Sequence, residues 1–179
     1  DGVRMSEKPE IRDSTPGDLA SIEALYPDAF PDEDLLPLVR ELMQEASGVL
    51  SLVASIDRSV AGHVMFTTCG VAESAGRVAL LGPLAVAPAW QRRGIGKSIV
   101  RVGLRRLEHA GVSLVCVLGD PAYYGRLGFV PEASVVPPYP LPAEWSGAWQ
   151  SISLRGAEPP LTGKLCVPQP WLHPRLWGP

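Results

Sequence analysis

The stretch from Leu81 to Gly111 constrains this chain more than any other part of it. Leu-Gly-Pro-Leu-Ala-Val-Ala-Pro-Ala-Trp-Gln-Arg-Arg-Gly-Ile-Gly-Lys-Ser passes from an apolar run into a polar turn with two arginines and two glycines, and then into an amphipathic segment. That succession reads as strand, anion-binding loop and helix. From about Gly94, the residues Gly96, Val100, Gly103, Leu104 and Leu107 fall on one helical face while Arg101, Arg105, Arg106 and Glu108 point elsewhere, and Gly111 stands where a helix closes. The first turn of such a helix has amide groups without intrahelical partners and the positive end of the dipole, so an anion is stabilised there. Gly94 and Gly96 carry no Cβ and allow a pyrophosphate close to the backbone, and Arg92 and Arg93 add charge.

Gly96-Lys97-Ser98 also looks like the end of a nucleotide-binding P-loop, with Leu114 to Leu118 and Gly119-Asp120 as a faint metal-binding strand. The leading glycine of that motif would be residue 91, and residue 91 is glutamine. A plain turn with arginines in water is the remaining reading from the residues alone.

A third reading accounts for every position. Gln91-Arg92-Arg93-Gly94-Ile95-Gly96, directly after Leu84-Ala85-Val86 and Pro88, resembles the Q/R-x-x-G-x-G/A signature of the GNAT superfamily of acyl-CoA-dependent N-acyltransferases. A second block, Ala122-Tyr123-Tyr124-Gly125-Arg126-Leu127-Gly128-Phe129, resembles that family's Phe-Tyr-x-x-x-Gly-Phe segment and follows after one further strand. The wording is most similar to the branch labelled YhbS-like, and the likeness covers roughly residues 10 to 155. The resemblance implies an α/β (α+β) fold with a mixed, splayed central sheet flanked by helices, and transfer of an acetyl group from acetyl-CoA to a primary amine. It assigns CoA binding to Leu84, Ala85 and Val86 through the strand backbone and to Gln91, Arg92, Arg93, Gly94, Ile95, Gly96, Lys97 and Ser98 through the loop and helix start. It places Tyr124 as the acid that protonates the departing sulfur, a phenol with an ordinary pKa near ~10 against ~8.5 for a thiol.

The base is open. The strand Arg77 to Val86 carries no carboxylate where several relatives have a glutamate, leaving His63, Asp120, Glu73 or a chain of waters. The family's asparagine before the tyrosine segment also has no counterpart in Leu118-Gly119-Asp120-Pro121.

At 179 residues, with 46% hydrophobic and 20% charged, the chain suits one globular core, and a net charge of -3 gives no general reason to expect nucleic-acid binding. Cys69, Cys116 and Cys166 are odd in number and widely spaced, which suits buried free thiols and a cytoplasmic address better than disulfides or a metal site. No stretch approaches the roughly 20 apolar residues of a membrane span, and no leader pattern opens the chain.

Along the chain, residues 1–9 read as a tail, 10–155 as the acetyltransferase-like domain and 156–179 as a proline-rich extension packed on it. Glu10-Ile11-Arg12 is expected as a strand. A helix is expected from Pro16 to Leu25, capped by Thr15 and ended by Tyr26-Pro27, and another from Asp34 to Ala46. Val49 to Ile56 and Val60 to Thr68 form a hairpin about Asp57-Arg58-Ser59, and a turn at Glu73 to Gly76 leads into Arg77 to Val86. Gly82-Pro83 within that strand predicts a bulge, since proline has no amide hydrogen to give the ladder. Leu114 to Leu118 completes a parallel strand-helix-strand unit, a short helix holds Tyr123 and Tyr124, and strands are expected at Trp149 to Leu154 and Gly163 to Val167. The resemblance makes the two N-terminal helices part of the acceptor wall and the Tyr26 to Asp34 loop a specificity element. Trp145, Trp149, Trp171 and Trp177 either pack the tail on the body or line the acceptor pocket. The tail could also cross to a second subunit, giving a homodimer.

Overall fold

The computed structural model describes residues 8–155 and 161–179. The strand β1 (Glu10–Asp13) is followed by a 3-10 turn (Pro16–Asp18) and the helices α1 (Leu19–Ala29) and α2 (Leu36–Met43). Then come β2 (Val49–Ile56), β3 (Ser59–Val71), β4 (Arg77–Val86), α3 (Ile95–His109) and β5 (Leu114–Leu118). The short helix α4 (Pro121–Tyr124) precedes β6 (Val130–Pro131), β7 (Val135–Val136), β8 (Trp149–Ser153) and β9 (Gly163–Cys166). The two-residue strands β6 and β7 carry no periodicity of their own and escape a reading by pattern.

The sheet runs β1-β2-β3-β4-β5-β8-β6, antiparallel except where β4 meets β5 in parallel across the α3 crossover. The β2–β3 hairpin turns on Asp57 and Arg58, both at positive φ, the paired left-handed geometry that matches the twist of two antiparallel strands. The bulge expected at Gly82-Pro83 is present: the register with β3 passes from Leu81↔Phe66 to Leu84↔Val64, so two residues stand opposite Met65. Gly82 adopts φ 145, which a side chain would resist, and Trp171 lies against it. The pairing of β4 with β5 covers only Val78 to Leu81. Beyond the bulge the two strands part, and the open V between them positions the site.

Two apolar layers hold this sheet. On one face Ile22, Leu25 and Tyr26 of α1, Leu38, Val39 and Leu42 of α2, and Trp149, Trp171 and Trp177 pack on Val53, Met65 and Leu80. On the other, Ile95, Ile99, Val100 and Leu107 of α3 pack with Phe129 on Phe66, Leu81, Val115 and Val117. Gly103 is required here, because a Cβ would run into the Phe66 ring.

Two helix bounds differ from those expected. The first helix does not end at Tyr26-Pro27; α1 continues through Pro27 to Ala29. Tyr26 is held from two sides, its hydroxyl to His63 Nδ1 at 2.7 Å and its carbonyl accepting the Phe30 amide at 2.8 Å, so tertiary anchoring outweighs the proline. Thr15 is the N-cap residue as expected, in a capping box with Asp18: its N–H and Oγ1 both donate to the Asp18 carboxylate, which also takes a two-point contact from Arg12 at 2.7 and 2.9 Å. The second helix is shorter than Asp34 to Ala46, starting at Leu36 with Pro37 in its first turn.

The domain boundary expected at residue 155 precedes residues 156–160, which lie outside the described residues, as do residues 1–7 of the expected tail. Past that gap the chain rejoins the body: β9 pairs with β3 at Gly70↔Cys166 and Val71↔Leu165 and with β7 in parallel. Cys166 is exposed there, unlike the buried Cys69 and Cys116, so the expectation of three buried thiols holds for two. No described helix is long and apolar enough to cross a membrane.

Candidate active site

A cleft of about 1160 Å³ opens where β4 and β5 part. One side is the tip of α3. Gly94 precedes the helix at φ 82 with open space where its side chain would be, and Arg92 also has positive φ. Among the described residues, none of the amides from Arg92 to Lys97 has an acceptor; the first to find one is Ser98, on the Gly94 carbonyl at 3.0 Å. A run of unpaired N–H groups at a helix start, beside Arg92 and Lys97, is a cradle for a diphosphate.

The second half of β4 gives the cleft its floor. Ala87 donates to the Ala61 carbonyl of β3, so by strand alternation the peptide groups of Leu84 and Val86 face the open side and those of Ala85 face β3. The Val86 carbonyl takes a 3.0 Å hydrogen bond from Gln91 Nε2, which ties the loop to the strand. This free edge suits an amide-rich chain laid alongside it.

Of the residues assigned to CoA from the sequence, Leu84, Val86, Gln91, Arg92, Gly94, Ile95, Gly96 and Lys97 line the cleft. Ala85, Arg93 and Ser98 do not. Ala85 is buried in the core, Arg93 stacks on the Trp90 ring at 5.1 Å, and Ser98 begins the hydrogen-bonded part of α3. Gly96 serves a second purpose: a Cβ there would meet the Tyr123 hydroxyl, so α4 is seated on the start of α3 through this position.

Tyr124 stands on the opposite side of the V. Asp120 caps α4 by accepting the Ala122 amide at 2.9 Å, which fixes the helix directly after β5. The Tyr124 ring lies on Gly119, where no side chain would fit, and meets Phe129 edge-on at 5.6 Å. Its hydroxyl has no protein partner among the described residues and is not sealed, so it opens into the cleft. Burial of the ring raises its pKa, followed by a smaller effect of Tyr123, and keeps the phenol protonated.

His63 is not brought to the cleft. It is fully buried between Tyr26 and Ser51, with Nδ1 2.7 Å from the Tyr26 hydroxyl and Nε2 2.9 Å from Ser51 Oγ, and burial lowers its pKa to about 3. Both ring nitrogens are used and the imidazole stays neutral. Glu73 lies in the turn that opens β4, away from the cleft, while Asp120 lines it but is occupied as a cap.

The structure picks out single residues within segments the sequence had marked, and adds Leu35, Leu176 and Arg126, which sequence reading missed. Glu33, Phe30 and Leu35 line the cleft from the segment between α1 and α2, and Trp171, Leu176 and Trp177 line it from the tail. Arg126 lines it beside α4, within the block quoted for the tyrosines. The specificity role expected for the Tyr26 to Asp34 loop pointed toward Phe30 and Glu33; nothing in the tail marked which tryptophans would reach. Trp171 and Trp177 do both things asked of them, since each is buried and each faces the cleft.

A sequence model described as the Acetyltransferase (GNAT) family matches residues 19–129, from α1 through Phe129. The chain belongs to the GNAT acetyltransferase family. Among GNAT relatives it is 33% identical over 161 residues to the protein of Escherichia coli (strain K12) named Uncharacterized N-acetyltransferase YjhQ, covering 86% of this chain and 88% of that one. It is 34% identical over 120 residues to the E. coli protein named Uncharacterized N-acetyltransferase YhbS, covering 66% and 72%. The crystal structure of E. coli YhbS in complex with CoA superposes with a TM-score of 0.84 at 27% identity, over 97% of both chains. A Brucella melitensis GNAT structure in complex with acetyl-CoA gives 0.73 at 28% identity, over 92% of this chain and 99% of that one. Solved GNAT structures of this fold thus hold CoA or acetyl-CoA, and the unpaired amides, the free strand edge and the basic groups here fit that carrier.

Proposed function

We propose that the protein moves an acetyl group from acetyl-CoA to a primary amine by direct transfer. The observation that carries this reading is the pairing, across one cleft, of the acceptor-free amides from Arg92 to Lys97 with the unbonded Tyr124 hydroxyl. Acetyl-CoA supplies an activated acyl group as a thioester. The amides of the α3 tip, with Arg92, Lys97 and Arg126, hold its phosphates, and the peptide groups of Leu84 and Val86 hold and orient its amide arm. An amide N–H of the open β4 edge polarises the thioester carbonyl, a preorganised dipole in a partly dry site.

The amine nitrogen bonds to the acetyl carbon as the carbon–sulfur bond breaks. The nitrogen gives one proton to solvent through the cleft mouth, and Tyr124 Oη gives its proton to the departing sulfur and regains one from solvent. The products are an N-acetyl amine and CoA thiol. His63 stays outside these steps as a buried, neutral support for α1. Two buried thiols, Cys69 and Cys116, suit a reducing compartment, and we assign the reaction to the cytoplasm.

The test is a thermal-shift titration with CoA followed by thiol release from acetyl-CoA across a panel of amines. CoA should protect the fold, Arg92→Ala with Lys97→Ala should weaken that protection, and thiol should be released only when amine is present. CoA protection without release on any amine would make the chain a CoA-binding module and end the catalytic reading.

A further inference from the structure

The acceptor end of the cleft differs in chemistry from the cofactor end. The cations that line the cavity, Arg92, Lys97 and Arg126, belong to the α3 tip and the turn after α4. Toward α1, α2 and the tail, the lining is Phe30, Leu35, Leu38, Trp171, Leu176 and Trp177, with Glu33 at the mouth. Glu33 is exposed, and among the described residues no basic side chain pairs with it. The two indoles offer this wall only their rings. Trp171 Nε1 donates to Thr67 Oγ1 at 3.0 Å, and Trp177 Nε1 donates to the Trp171 carbonyl at 3.0 Å. A hydroxyl-rich acceptor lodged here would leave its oxygens against carbon, a desolvation cost for each one buried unpaired. A flat apolar body would instead lose its hydration and meet aromatic faces.

Building on the amine-acetylation reading above, we infer that the acceptor is a primary amine carried on an aromatic or similarly bulky apolar body. Its ammonium is drawn in by Glu33 and its ring is seated among Phe30, Trp171 and Trp177. Glu33 acts on capture: it raises the local concentration of the cation, and the proton is shed to solvent before nitrogen attacks. A rim charge of this kind changes KM and salt dependence more than the chemical step.

The experiment measures kcat/KM at saturating acetyl-CoA for tryptamine and phenethylamine against glucosamine and a lysine-containing peptide. The aryl amines should exceed both others by about tenfold or more, as expected when a polar group must be buried without a partner. Glu33→Gln should raise KM for tryptamine roughly three- to fivefold at low salt, the scale of one exposed ion pair, with kcat and CoA protection unchanged and the difference fading at high salt. Preference for glucosamine or the peptide, or a Glu33→Gln enzyme with unaltered KM, overturns the inference while leaving acetyl transfer standing. Should no amine be acetylated, the transfer reading falls, and calorimetric binding to the CoA-loaded protein then decides the acceptor class. Tryptamine binding tenfold tighter than glucosamine supports it, and equal or reversed affinities overturn it.

Discussion

Tyr124 and His63, the two catalytic candidates of the sequence, acquire different uses from their surroundings. Tyr124 has a packed ring and an unbonded hydroxyl at the cleft, whereas His63 has both nitrogens bonded and no path to solvent. Tyr124→Phe keeps the ring contacts with Gly119 and Phe129 and removes only the proton donor. It should lower kcat by about 10²-fold or more, the usual worth of a general acid, with the CoA-induced thermal shift retained. His63 makes a separate prediction about stability. Its folded pKa of about 3 lies below the ordinary value, so the unfolded chain takes up a proton that the fold refuses. The stability tied to neutral His63 is present above about pH 6.5 and drains as pH falls toward 3, by about 1.4 kcal/mol per pH unit. Urea denaturation at pH 7 and pH 5 should show this loss, and His63→Gln, whatever its stability at pH 7, should show a smaller difference between the two.

At the scale of elements, the site depends on how α3, α4 and β4 meet. The strand, loop, helix and following strand from Arg77 to Leu118 were legible because each carries its own local signal: an apolar run, a proline break, glycines at required positions and a helical stripe. The seating of α4 on α3 had no such signal, since the contact of Tyr123 with Gly96 joins positions far apart in sequence. That contact is testable. Gly96→Ala should drive the Tyr123 hydroxyl away and reduce thermal stability, while Tyr123→Phe removes the atom that would be struck and leaves the next ring carbon at 3.4 Å. The double variant should therefore be more stable than the two single changes added together, by about 0.5–3 kcal/mol in a thermodynamic cycle. Additive effects would mean that the two residues do not meet. Pro27 shows the converse case, in which a strong local stop was overridden because Tyr26 is fixed by His63 and Phe30.

At the scale of the whole molecule, the tail is part of the core. Trp177 is buried against Trp149 at 5.7 Å and Trp171 at 6.0 Å, and His173 reaches Glu41 of α2 at 3.7 Å, so the last residues clamp the sheet face that holds α1 and α2. Trp177→Ala should cost about 3–5 kcal/mol by chemical denaturation, the range for deleting a large buried aromatic. It should also raise KM for the acceptor more than for acetyl-CoA, because the lost ring lines the end of the cleft proposed for the acceptor. A change confined to stability would detach the tail from the site.

The sequence by itself determined the glycine-bearing turn, the bulged strand before it and the succession of strands along the chain, because these depend on backbone demands and periodicities within about ten residues of one another; Tyr124 was marked only by the family resemblance. Only the tertiary structure decided which residues line the far end of the cleft. Glu33 reaches the cleft through the placement of two helices, and Trp171 and Trp177 through the return of the tail over Gly82. The same structure removed His63 from view, since a histidine in an alternating strand reads alike whether its ring meets a cleft or a buried tyrosine. Such distinctions rest on contacts between distant segments, and no local pattern of residues records them.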